Sequence, residues 1–87
     1  MAWTIKILEP AQRTLGKLDL PVARRITTFL YARLAQLDNP RSLGTALQGQ
    51  DKLWRYRVGG YRIICSLEDK RLLVLVLKVG HRREVYR

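Results

Sequence analysis

From Pro21 to Leu37 the apolar residues Val22, Ile26, Phe29, Leu30, Leu34 and Leu37 trace one stripe, with Arg24, Arg25, Thr28, Tyr31 and Ala35 mostly off it. That period predicts an amphipathic helix, terminated by Asp38-Asn39-Pro40. Upstream, residues 3–8 alternate and put Trp3, Ile5 and Ile7 on one face, which predicts a first strand ended by Glu9-Pro10. Proline suits the first turn of a helix, and Ala11, Leu15 and Leu18 follow at helical spacing. A short helix over 10–18 is expected, weakened by Gly16, before Asp19-Leu20-Pro21 breaks and restarts the chain. Residues 39–52 contain Pro40, Gly44 and Gly49 and hold no period, so they read as a loop with room for one helical turn around Leu43 to Leu47.

The stretch that follows alternates again. As a strand, residues 53–58 point Trp54, Tyr56 and Val58 one way and Arg55 and Arg57 the other. Gly59-Gly60 predicts a two-residue hairpin in which both central positions take positive φ. The returning strand has Tyr61, Ile63, Cys65 and Leu67 on one parity and Arg62, Ile64 and Ser66 on the other, so Arg62 can join the arginine face. After a turn at Glu68-Asp69-Lys70, the unbroken apolar run Leu72 to Leu77 predicts a strand buried on both faces and central in the sheet. The order β-α-α-β-β-β is an α+β pattern, two N-terminal helices packed on a small, mostly antiparallel sheet. Residues 1–87 are long enough for one modest core and are expected to form a single domain.

Composition sharpens this picture in one respect, the charge. The chain carries a formal +10, with seven basic and four acidic residues over 1–51 against ten and three over 52–87. The C-terminal part therefore holds net +7 and points to a polyanionic partner, nucleic acid or an acidic protein. No apolar run approaches the ~20 residues of a membrane span, and no basic amphipathic helix with a bulky apolar face is evident, so no membrane partner is expected. The apolar start Met1 to Leu8 is interrupted by Lys6 and followed by Glu9-Pro10, so no signal peptide is expected and the cytoplasm is the expected location. The one cysteine, Cys65, falls on an apolar parity and reads as a small core residue.

Arg55 and Arg57 lie roughly 7 Å apart along their strand, near the spacing of successive phosphates on a single nucleic-acid strand. The same alternation is also what a half-exposed antiparallel strand shows. The seven acidic residues do not converge, with only Glu68 and Asp69 adjacent, so neither a metal nor a cofactor site is expected. Cleavage of a nucleic acid without metal takes its simplest nucleophile from the substrate's own 2′-hydroxyl, which makes the substrate RNA. Such a reaction needs a base, an acid and cations around the phosphorane. Arg55, Arg57, Arg62 and Arg82 can supply the cations, His81 titrates near neutrality in its ordinary state, and Tyr86 offers a hydroxyl or a stacking surface. Arginine itself stays protonated and is a poor base.

Leu47-Gln48-Gly49, then Trp54-Arg55-Tyr56-Arg57-Val58-Gly59-Gly60-Tyr61-Arg62, and finally Val79-Gly80-His81-Arg82-Arg83-Glu84-Val85-Tyr86, resemble the RelE toxins of the RelE/ParE toxin–antitoxin superfamily over nearly the whole chain. The resemblance implies a type II toxin that enters the ribosomal A site and cuts mRNA, held inactive by a cognate acidic antitoxin and reaching operator DNA only through that complex. It places catalytic roles on Arg55, Arg57, Arg62, Arg82 and Tyr86, with His81 favoured as base or acid. Lys52, Arg83 and Arg87 are expected to add contacts to RNA. Arg55 and Arg57 stand where well-studied members have lysine, which leaves the identity of the base open. Two other readings share the same fold: a ParE-like toxin that inhibits DNA gyrase by binding, and a non-catalytic co-repressor that binds antitoxin and operator.

Overall fold

The computed structural model describes residues 2–47, 49 and 52–81. Strand β1 (Thr4–Ile7) leads into helix α1 (Glu9–Lys17), with Pro10 in its first turn, Glu9 at its N-terminus and Lys17 at its C-terminus, each placed favourably for the helix dipole. Helix α2 (Leu20–Thr28) begins again with a proline in its first turn and does not stop where its regular bonding stops. It runs on through a π-helical turn (Phe29–Arg33) and a 3-10 turn (Leu34–Gln36). The wider turn has a packing reason. Four-residue steps along a regular α-helix advance by about 40°, so a stripe built on 22, 26, 30 and 34 would rotate away from the sheet. The π turn takes up that drift, and Ile26, Leu30 and Leu34 are all fully buried.

The expected loop over 39–52 is more ordered than its sequence implies. Its helical turn is a 3-10 turn at Pro40–Leu43, earlier than the predicted Leu43 to Leu47, because Asn39 accepts a bond from the Arg41 amide and starts the turn there. Thr45–Ala46 then forms a two-residue strand, β2, that the chain's patterning does not announce. Strands β3 (Leu53–Val58), β4 (Tyr61–Glu68) and β5 (Leu73–His81) follow, the last two joined by a 3-10 turn (Asp69–Arg71) that Leu72 ends in the left-handed region at φ 47°. In the hairpin between β3 and β4 only Gly59, at φ +59°, takes positive φ, a turn that asks this of its first central residue alone.

Among the described residues the strands make one five-stranded sheet in the order β1-β5-β4-β3-β2. β1 runs parallel to β5 and every other pair is antiparallel. Two helices on this mixed sheet are the α+β fold expected from the element order, with β5 interior rather than at the centre, which β4 occupies. One face carries Tyr56, Ile63, Cys65, Leu67, Val74 and Val76 into a core closed by Ala11, Ile26, Leu30 and Leu34. Trp3 ties the start of β1 to the end of the helical segment, its amide donating to the carbonyl of Ala35 at 2.7 Å and its indole N–H to that of Asp38 at 3.3 Å.

β5 is not buried evenly on both faces, since Leu75 is only half-buried on the face away from the helices, and beyond it a bulge changes which residues face inward. Ile64 pairs with Lys78 while Cys65 pairs with Val76, so Leu77 is an extra residue on β5. Strict alternation would send Lys78 to the helix side with Val74 and Val76. The bulge reverses the parity, turning Val79 inward to 3% exposure and leaving Lys78 exposed on the face away from the helices.

A candidate anion cleft on the face away from the helices

The alternation of β3 behaves as its residues predict. Tyr56 and Val58 are buried toward the helices, while Arg55 and Arg57 point to the other face. Pairing then decides which side chains meet. Arg57 stands directly opposite Arg62, and Arg55 opposite Ile64. Arg62 therefore does join the arginine face, but it is only 9% exposed and its Nη1 has no hydrogen-bond partner among the described residues. Its neighbour on β5 is Gly80, which brings no side chain beside the guanidinium. Arg55, Arg57 and Arg62 line a recess of about 170 Å³ whose other walls are Leu43 and Thr45. Like charges directly opposite on neighbouring strands repel, and a buried cation without a partner is costly. Both costs fall if an anion enters.

The far wall is held by bonds that cross the chain. The hydroxyl of Tyr56 donates to the carbonyl of Pro40 at 2.9 Å in a buried bond. Gly44 lies flat on the same ring, where a Cβ would come 2.9 Å from Cε1 and 3.3 Å from the carbonyl of Arg55, so only glycine fits. Arg41 reaches back to Asp69 with two bonds of 2.9 and 2.7 Å and lies 5.7 Å over the ring of Trp54. The Arg41 bond holds the Asp69 carboxyl below the usual carboxylate range and raises Arg41 in turn. Burial pushes the Tyr56 phenol above its ordinary range, so it stays a donor. Burial likewise pushes the Cys65 thiol up, as suits a core residue.

The other expected site residues are not all gathered here. His81 ends β5 opposite Tyr61, with its ring edge-on to the tyrosine at 5.8 Å. Its register puts it on the face of Tyr61, one residue beyond Gly80 and on the opposite side of the sheet from Arg62. Lys52 precedes the far end of β3 and lines a separate groove of about 630 Å³ with Arg41, Lys70 and Arg71. Arg82, Arg83, Tyr86 and Arg87 lie outside the described residues. Among the described residues no three of His, Cys, Asp and Glu sit together as a metal site would need. Leu43, Thr45 and the Tyr56 latch were not legible as site components, and only Gly44 in an aperiodic loop hinted at close backbone approach.

Known proteins match both the sequence and the fold. Residues 5–86 match the family model of the ParE toxin of parDE type II toxin–antitoxin systems. Toxin RelG of Mycobacterium tuberculosis (strain ATCC 25618 / H37Rv) is 27% identical over 88 residues, spanning 100% of this chain and 99% of that protein. The fold superposes on the toxin–antitoxin complex RelBE2 of M. tuberculosis with a TM-score of 0.83 at 25% identity, covering 95% of this chain and 94% of the other. The archaeal RelE–RelB complex from Pyrococcus horikoshii OT3 gives 0.79 at 28% identity, covering 97% and 99%.

Proposed function

This chain belongs to the RelE/ParE superfamily of type II toxin–antitoxin toxins, and from that premise we propose that it is an endoribonuclease that cuts mRNA in the ribosomal A site without a metal ion. The observation that carries this reading is Arg62, a guanidinium only 9% exposed that lines a recess with two more arginines and whose Nη1 is buried without a hydrogen-bond partner among the described residues. A guanidinium held there is in place before charge develops, which is how preorganised donors stabilise a phosphorane. In the reaction the substrate's 2′-oxygen attacks phosphorus and the bond to the 5′-oxygen breaks. The products are a 2′,3′-cyclic phosphate and a 5′-hydroxyl. A base takes the 2′ proton and an acid protonates the leaving oxygen. His81 is the proposed proton carrier among the described residues, with Arg82 and Tyr86 completing the set and Lys52, Arg83 and Arg87 holding RNA more remotely. Because His81 lies on the other side of the sheet from Arg62, the scissile group would sit at the hairpin end, where Gly80 separates the two.

Several solved relatives are complexes with their antitoxins, and the corresponding partner here is an acidic antitoxin that covers the arginine face, with operator DNA bound only through that complex. The match to a ParE model favours a second reading, inhibition of DNA gyrase by binding. A gyrase binder has no use for a buried guanidinium whose Nη1 is unpartnered among the described residues. The test is cleavage of ribosome-bound mRNA carrying a 2′-deoxy sugar at the cut site. The substrate should bind and resist cleavage, because the nucleophile is gone while phosphate contacts persist. Cleavage at the ordinary rate overturns the mechanism, and loss of DNA supercoiling activity with no RNA product favours the gyrase reading. His81→Ala should lower the single-turnover cleavage rate of ribosome-bound mRNA.

A further inference from the structure

A second cationic groove lies around the corner from the cleft, between α2 and β3. It has a volume of about 350 Å³, with Arg25, Arg33 and Arg57 around its rim and Phe29, Ala32 and Val58 among its walls. Arg57 is common to both sites. This is possible because β2 pairs only with Trp54 and Arg55, so from Tyr56 to Val58 the edge of β3 has no neighbouring strand among the described residues. Arg25 reaches the hairpin tip, where its Nη1 would lie 3.7 Å from a Cβ built on Gly59. The half-buried ring of Phe29 is backed by Tyr56 at 5.9 Å, which keeps it in place. Among the described residues no acidic side chain lines the groove.

We propose that the RNA strand whose phosphate occupies the arginine cleft continues round the free edge of β3 into this groove, where Arg25 and Arg33 hold a further phosphate and Phe29 with Ala32 supports a base. The inference rests on the endoribonuclease reading and adds a subsite to it. A basic groove beside an aromatic surface is the pattern by which single strands are bound without sequence preference. Continuity through Arg57 favours nucleic acid over an acidic peptide, since a strand with evenly spaced phosphates can use both sites at once.

The test uses the full chain and fluorescein-labelled, 2′-O-methyl single-stranded RNAs of two to six nucleotides, which cannot be cleaved, with binding read by anisotropy over a salt series. In the wild type, affinity should rise about tenfold or more from the shortest to the longest strand as a second phosphate and a base engage. Arg25→Ser/Arg33→Ser should abolish that gain and flatten the dependence of log affinity on log salt by about 0.7 to 1.4, while the dinucleotide binds as before. Both arginines are exposed, and Arg25→Lys/Arg33→Lys, matched in thermal melting, should keep the salt slope. An unchanged length gain in the Ser variant overturns the groove, as does a Ser variant that weakens only an acidic antitoxin peptide. If the wild type binds the dinucleotide and gains nothing with length, the groove fails and the cleft stands. If it binds none of the RNAs, the groove fails, and the endoribonuclease reading is decided separately by the 2′-deoxy cleavage assay on ribosomes.

Discussion

Replacing Tyr56 by phenylalanine removes one hydroxyl from a residue 1% exposed and deprives the Pro40 carbonyl of a donor 2.9 Å away. The ring stays against Phe29 and Gly44, so the change isolates the bond. A buried acceptor stripped of its partner costs about 1–3 kcal/mol. In a domain of this size about 1.5 kcal/mol lowers Tm by roughly 6–12 °C. Because burial keeps the phenol protonated, the deficit should be the same across roughly pH 6 to 9. Urea melts give the stability, and ribosome-dependent cleavage should fall as well, since the bond secures the turn that brings Leu43 and Thr45 to the cleft. Gly44→Ala supplies the second arm. Its Cβ would press on Cε1 and Cζ of the ring, overpacking worth about 1–3 kcal/mol, and the displaced turn should lose the Pro40 bond. Cε1 and Cζ persist in phenylalanine, so the clash remains in the double variant but the bond cannot be lost twice. The combined cost should fall short of the sum by about 1 kcal/mol. Tyr56→Phe within about 0.5 kcal/mol of wild type, with full activity, would refute the latch.

Arg62→Met should leave the chain at least as stable as wild type in urea, because a buried charge whose Nη1 is unpartnered among the described residues is exchanged for an apolar side chain, while cleavage drops by about 10²-fold or more; a destabilised variant would mean that Arg62 is structural. Stability should fall as pH rises above about 8.5, where the unfolded chain releases the Cys65 proton and the folded chain, whose thiol is pushed up by burial, keeps it. The loss per pH unit is about 1.4 kcal/mol, and Cys65→Ala should remove the first part of the slope; an unaltered slope assigns it elsewhere. Arg55→Glu/Arg57→Glu should weaken association with an acidic antitoxin markedly at low salt, as measured by titration calorimetry, and equal affinity would put the antitoxin on another surface.

Elements whose cause is local were legible from the residues alone. The apolar stripe of α2, the alternation of β3 and the glycine turn after it depend on neighbours within a few positions, and the structure keeps all three. The accumulation of positive charge after residue 51 is a property of composition and needs no fold. What pairing and packing decide could not be read this way. The two-residue turn already sets Arg57 opposite Arg62, but the burial of Arg62 comes from elements distant in sequence that settle around it. Lys78 and Val79 exchange faces because of a bulge that alternation alone predicts against. The loop after Pro40 forms a wall because Tyr56, sixteen residues later, holds its carbonyl. A chain's period records which face each residue prefers within its own element. Which faces then meet is settled by long-range contacts, and the cleft is made of those.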